Sequence, residues 1–146
     1  YSNRDRVSAH IETMLKNIKL RNPLIFQNIL DNINQFWGNK KQITDFDENL
    51  RLLVRVDKPK PVFHYIEDLS SGEQQCLIMM VMVSRWMMPG GVVLIDEPDL
   101  HLHTKLQNKI LEEMYDLIPE NSQLIISTHS IGMMRKAVEM QKIYPD

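Results

Sequence analysis

Apolar residues recur along this 146-residue chain first at helical spacing, then in alternation, then in unbroken runs. Val7, Ile11, Met14, Leu15 and Ile18 fall at three- and four-residue steps, which predicts a helix over about residues 4–20. Pro23, in RNP, interrupts that pattern. Ile25, Ile29, Ile33 and Phe36 mark one face of a second helix, about residues 24–37, with Gly38 just past its end. The segment ITDFDEN shows neither period and reads as an irregular connection. In LRLLVRVD, Leu52, Val54 and Val56 share one face while Arg51, Arg55 and Asp57 share the other, the pattern of a strand. KPKP cannot continue a ladder, and VFHYIE returns as the second strand of a hairpin. Val62, His64 and Ile66 lie on one side of it, so His64 reads as a half-buried strand residue rather than a catalyst.

From Glu73 to about Met88 the chain is apolar nearly all round, which predicts a helix buried on most sides, ended by MMPGG. GVVLIDEP is a continuous apolar run closed by two acids, the look of a central parallel strand. Leu102, Leu106, Ile110, Met114 and Leu117 then mark an amphipathic helix up to Pro119. SQLIISTHS reads as a second buried strand, Ser130 as the cap of a last helix to about Met140, and KIY as one more short strand. Two strands joined by a helix form a β-α-β unit, so they should run parallel with a right-handed crossover. Asp96 and Glu97 then emerge with Thr128 and His129 at the carboxyl edge of the sheet, where open α/β sheets bind ligands.

Composition narrows the class. A hydrophobic share of 43% with 25% charged residues is that of a globular domain, and the length suits about one. A net charge of −2 gives no global reason to expect nucleic acid. The single cysteine, Cys76, excludes an internal disulfide, suits a reducing compartment, and lies in an apolar run where a buried thiol is expected. The longest apolar run, Cys76 to Val83, is too short to cross a bilayer, and no signal peptide opens the chain. A cytoplasmic location without membrane contact is therefore expected. Because the first residue is Tyr1 rather than Met, the chain is expected to be a segment of something longer. Met79, Met80, Met82, Met87 and Met88 read as pliable core filling. Arg51, Arg55, Lys58 and Lys60 read as a solvated face, with contact to DNA as the alternative.

Three constellations carry candidate chemistry. Asp96 at a strand end has the hard oxygen donors that a hydrated magnesium ion prefers, and Glu97, pointing elsewhere, can orient or deprotonate a water attacking a phosphoryl group. A plain strand exit onto water explains the same two acids equally well. His129, flanked by hydroxyls in STHS, can donate to a terminal phosphate or simply be exposed. In EDLSSGEQQCLIMM, Ser70 and Glu73 have the spacing of a capping box. The same helix start offers unpaired amides to an anion, and Gly72 permits close approach to the backbone.

Taken in order, LSSGEQQ, VVLIDEP and LIISTHS resemble the signature motif, the Walker B strand with its catalytic glutamate, and the switch-histidine strand of ABC-type ATPase heads. The resemblance runs from about Leu50 to Tyr144. It implies an α/β fold: a partial P-loop NTPase lobe of parallel strands with flanking helices, preceded by a helical segment (1–48) and a β-hairpin, with the lobe itself at 49–146. DEPDLHLH places Leu100, His101, Leu102 and His103 where transporter ATPases carry a different turn, and is similar to the OLD and RecF-like ATPases of DNA repair and phage defence. His103 stands where an aspartate is usual, which leaves that residue's inter-subunit role without a counterpart. The His-x-His pair lacks a third ligand and is read as polar turn residues near a dimer seam.

In such heads two copies sandwich ATP. Carried over, Ser70, Ser71, Gly72 and Glu73 contact the γ-phosphate bound to a partner head, Asp96 organises Mg2+ through water, Glu97 polarises the attacking water, and His129 senses the γ-phosphate. Glu73 replaces the glutamine common in transporters. No G-x-x-x-x-G-K-[ST] occurs, since Gly38, Gly72, Gly90, Gly91 and Gly132 cannot be arranged into it. The lobe that holds the β- and γ-phosphates is thus expected elsewhere, and this chain alone is expected to be inactive. The resemblance implies an ATPase whose ATP-driven dimerisation controls a DNA-repair or phage-defence effector, with a second head, a nuclease or other effector, and DNA as partners. The alternatives are the ATPase subunit of a membrane transporter and a non-hydrolysing lobe that completes a partner's nucleotide site.

Overall fold

Helical periodicity ends at Pro23 for a steric reason, and the computed structural model breaks there into two helices. It describes residues 3–38, 40–57, 59–86, 88–100 and 102–141. Helix α1 spans Asn3–Arg21 and α2 spans Pro23–Phe36. Asn22 caps α2 by accepting from the Ile25 amide, and Pro23 takes the first helical position, where a missing N–H costs nothing. Ile11, Leu15 and Ile18 of α1 and Ile29, Leu30 and Ile33 of α2 are buried, whereas Ile25 lies largely exposed.

Strands β1 (Lys41–Phe46), β2 (Leu52–Val56) and β3 (Val62–His64) form an antiparallel sheet in that order. The hairpin expected from LRLLVRVD and VFHYIE is β2–β3, with Val54 opposite His64. The irregular connection expected at ITDFDEN is instead strand β1, paired with β2. Local pattern is weak there because only Ile43 is buried and the register shifts between Ile43 and Phe46. Asn34 of α2 supplies what the pattern lacks. Its side-chain amide donates to Ile43 O at 3.1 Å, and its oxygen accepts from Ile43 N at 2.8 Å. All of β3 is exposed, so His64 is a surface residue rather than a half-buried one.

A short 3-10 turn (Ile66–Asp68) leads into α3 (Ser71–Trp86), most of whose side chains up to Val83 are buried, among them Cys76, Leu77 and Met80. Met82 and Met88 are exposed, which corrects their reading as core filling. The chain divides into two compact units, Tyr1–Val81 and Met82–Asp146, the division falling within α3.

In the second unit, Gly90 adopts φ 79° to turn the chain, and a side chain at Gly91 would meet Met88 O at 2.9 Å. Strand β4 (Val92–Asp96), helix α4 (Thr104–Leu117), strand β5 (Gln123–Ser127) and helix α5 (Ile131–Met140) follow. β4 and β5 pair in parallel, Leu94 opposite Ile125 and Asp96 opposite Ser127. Ser130 caps α5 by accepting from the Met133 amide, as its position predicts. Among the described residues this sheet has two strands, so β4 is not the buried central strand that its composition suggests. Val92, Leu94 and Ile125 share a face and are 55, 75 and 50% exposed. β5, α4 and α5 line an open cavity of about 340 Å³ bordered by Leu111, Tyr115, Leu124, Ile126 and Met140 among others. No helix among the described residues is long and apolar enough to cross a membrane. The strand expected at 142–144, together with His101, Lys58 and Met87, lies outside the described residues.

Candidate functional site

The helix mouth at Ser70 forms as its sequence dictates. Ser70 Oγ accepts from Glu73 N at 3.2 Å, and Glu73 Oε1 accepts from Ser70 N at 3.1 Å, which closes the capping box. Ser70 and Ser71 are exposed, while Gly72 is buried, so it is the serines that this mouth presents to solvent. Glu73 is further occupied. Lys41 Nζ of β1 donates to both of its oxygens at 2.7 and 2.9 Å. Burial pushes the Glu73 carboxyl up, but hydrogen bonds from Lys41 and Ser70 outweigh it and hold the group below the usual glutamate range.

Two side chains fix the approach to this mouth. Buried Gln74 donates to Ile66 O at 3.0 Å and to Leu69 O at 3.3 Å, tying the 3-10 turn to α3. Arg51 donates through Nη2 to Glu67 at 2.6 and 2.7 Å and through Nε to buried Glu12 at 3.2 Å, with its guanidinium 4.2 Å from the Tyr65 ring centroid. The Glu67 bond, opposed by burial and aided by Glu12, raises the proton affinity of Arg51 further above its ordinary value. Arg51 is therefore a two-carboxylate clamp and not part of a solvated basic face. Arg55 is likewise engaged, with Asp57 at 3.1 Å.

The second group of residues collects at the carboxyl ends of β4 and β5. Their parallel register sets Asp96 beside Ser127, and the Ser127 hydroxyl donates to Asp96 Oδ1. The next residue, Glu97, takes φ 48°, a left-handed conformation that costs a non-glycine residue about 1 kcal/mol or more. Its amide donates to Ser127 O at 2.8 Å and lies 3.2 Å from Ser127 Oγ, which holds that bend. The bend turns Glu97 away from Asp96 and towards the other strand tip. His129 Nε2 lies 3.0 Å from Glu97 Oε1, with the two side chains 91 and 35% exposed. The structure thus brings Asp96, Glu97 and His129 to one sheet edge. Ser70, Ser71, Gly72 and Glu73 lie in the other unit.

As a donor set, the Asp96 carboxylate beside a serine hydroxyl at an exposed strand end fits a hard, largely hydrated cation such as Mg2+. His103 Nδ1 accepts from Leu106 N at 3.3 Å and caps α4, so that half of the His-x-His pair serves the helix. Ser127, Asp99 and Gln107 complete the strand-tip network and were not foreseen, because their partners lie 5 to 31 residues away in sequence.

Comparison with known proteins bears on the family and the fold. The chain is 34% identical over 86 residues to the glutamine transport ATP-binding protein GlnQ of Escherichia coli (strain K12), covering 58% of this chain and 34% of that protein. It is 37% identical over 81 residues to the Septu protein PtuA of Bacillus mycoides (strain KBAB4), covering 51% of this chain and 11% of that one. The chain therefore spans about a third of one relative and about a tenth of the other. In fold it is similar to a chain solved in a study of ATP-driven dimerization and DNA-stimulated activation of SMC ATPases, with TM-score 0.57, 21% identity, and coverage of 83% of this chain and 77% of that one. The fold is that of part of a P-loop NTPase domain, with parallel strands and flanking helices. Residues 14–135 match the family described as "AAA domain, putative AbiEii toxin, Type IV TA system", and this chain belongs to it.

Proposed function

We propose that residues 49–146 are the carboxyl-terminal lobe of an ATP-hydrolysing head, with residues 1–48 as an accessory segment and the phosphate-binding loop supplied by a lobe outside this chain. The observation that carries this reading is the Glu97–His129 pair, 3.0 Å apart at the tips of two parallel strands and next to Asp96. ATP would supply the phosphoryl group, and Asp96 with Ser127 beside it would hold Mg2+, which when bound would neutralise phosphate charge. Glu97 orients the attacking water and takes its proton. His129, almost wholly exposed, is free to donate to the terminal phosphate while its other contact, Glu97, fixes its direction.

Ser70 and Ser71 offer the α3 mouth to the γ-phosphate of a second head, where the first-turn amides and helix dipole favour an anion. Glu73 serves that mouth indirectly: its carboxylate anchors the Ser70 amide and is neutralised by Lys41, so it does not repel the phosphate. The open apolar face of Val92, Leu94 and Ile125 is the surface that the missing lobe would cover. The output is ATP-driven dimerisation that gates a defence or DNA-repair effector in the cytoplasm, such as a nuclease acting on DNA. The family description and the DLHLH turn after the acids support this branch.

The similarity to GlnQ favours a second reading, the ATPase subunit of a transporter, which predicts co-purification with an integral membrane protein. Glu97→Gln in the full-length protein tests the first. ATP turnover should fall by at least about a hundredfold while an ATP-bound dimer accumulates on size exclusion. Parental turnover in that variant would refute the assignment of Glu97.

A further inference from the structure

His129 is 91% exposed and Glu97 stands on a left-handed φ, so the backbone on either side contributes to setting their 3.0 Å separation. A closed circuit of hydrogen bonds holds that backbone. The Thr128 hydroxyl donates to Asp99 Oδ1 at 2.5 Å, and Ser130 N donates to Thr128 Oγ1 at 3.0 Å. Ser130 Oγ donates to Gln107 Oε1 at 2.8 Å. Gln107 Nε2 then returns to the loop after β4, donating to Leu102 O at 2.8 Å and to Asp99 O at 3.4 Å. Asp99 lies two residues after Glu97, and Thr128 and Ser130 flank His129. The ring therefore clasps both residues from behind without touching either side chain.

Gln107 closes the ring on the α4 side. It sits in the first turn of α4, yet its oxygen reaches the cap of α5, 23 residues on. Its two nitrogen bonds alone would be a local brace for the loop that precedes α4. Its bond to Ser130 adds a second link between that loop and the segment after β5, beside the one from Thr128 to Asp99. A fully connected network of this kind is rigid, because each bond polarises and orients the next.

We propose that Gln107 is a positioning residue that fixes the spacing of Glu97 and His129 through this ring. The inference rests on the functional reading above. It is tested in the full-length protein labelled with 15N-histidine, with the His129 signal assigned by its loss in His129→Gln. In the parent, Glu97→Gln should shift the His129 ring-nitrogen resonances. In Gln107→Met, which keeps the side-chain length but loses the bonding groups, the same Glu97 change should shift them by less than about half as much. Thr128→Val breaks the ring at a second, near-isosteric point and should do the same. In turnover, Gln107→Met should lower kcat by about tenfold to a hundredfold with KM within about twofold, as expected for misplaced reacting groups. An undiminished shift in both variants, or a raised KM with unchanged kcat, would overturn the positioning role. No shift in the parent itself would mean that the Glu97–His129 pair does not form, and the proposed function would fall with it.

Discussion

Lys41→Met removes the cation that neutralises Glu73 at the start of α3. The two contacts of 2.7 and 2.9 Å link side chains that are 32 and 22% exposed. At that separation and an effective dielectric of about 20, the gross attraction is about 6 kcal/mol. Desolvation and the ordering of a long lysine offset most of it. Glu73 also keeps the Ser70 amide and the helix dipole, so the net loss at neutral pH should be about 1–2 kcal/mol. In a unit of this size, that corresponds to a fall in Tm of roughly 4–15 °C.

The pH dependence carries the sharper test. The folded Glu73 carboxyl lies below its ordinary value, because Lys41 and Ser70 outweigh the opposing effect of burial. A depressed carboxyl contributes its full stability above the unfolded value of about 4.3 and loses it as pH falls through the folded value. Urea unfolding of parent and variant, followed by circular dichroism from neutral pH into acid, should show a gap that is full at pH 7 and closes in acid. A gap of the same size at both ends would show that Lys41 stabilises through its aliphatic stem and not through the ion pair.

Two further outcomes test the packing of the second unit. Ile110 is fully buried in α4, so Ile110→Ala should cost about 2–5 kcal/mol in urea unfolding, and a loss below about 1 kcal/mol would contradict the core described for this unit. The Glu113 carboxyl is pushed up by burial and by Asp116, with Lys109 opposing, so its charged form weighs against folding as pH rises through the unfolded value. Glu113→Gln should raise Tm at pH 7 by up to a few degrees and leave it unchanged in acid, which a thermal scan at both pH values checks.

The parts of the molecule legible in the chain are those coded by neighbours. The Ser70–Glu73 box, the Ser130 cap and the apolar stripe of α4 each lie within one or a few turns, and each forms as read. The meeting of Glu97 and His129 was legible because a β-α-β unit forces two strand tips to one edge. Strand β1 was not, since Asn34 of α2 and the β2 ladder stabilise it more than its own pattern does. Nor was the role of Arg51, whose carboxylate partners are 16 and 39 residues away in opposite directions along the chain. Polar side chains such as Gln107 give no period, so a ring closed through tertiary bonds leaves no trace in a sequence pattern.

Under the proposed function, one nucleotide site is shared between Glu97 of one head and the Ser70–Glu73 mouth of another. Mixing two full-length variants tests it directly, one carrying Glu97→Gln and the other Ser71→Arg, each inactive alone. Random pairing in a symmetric dimer should restore about a quarter of the parental ATP turnover, because half of the dimers are mixed and each has one intact site of two. A mixture as inactive as either variant alone would contradict a site built across two heads.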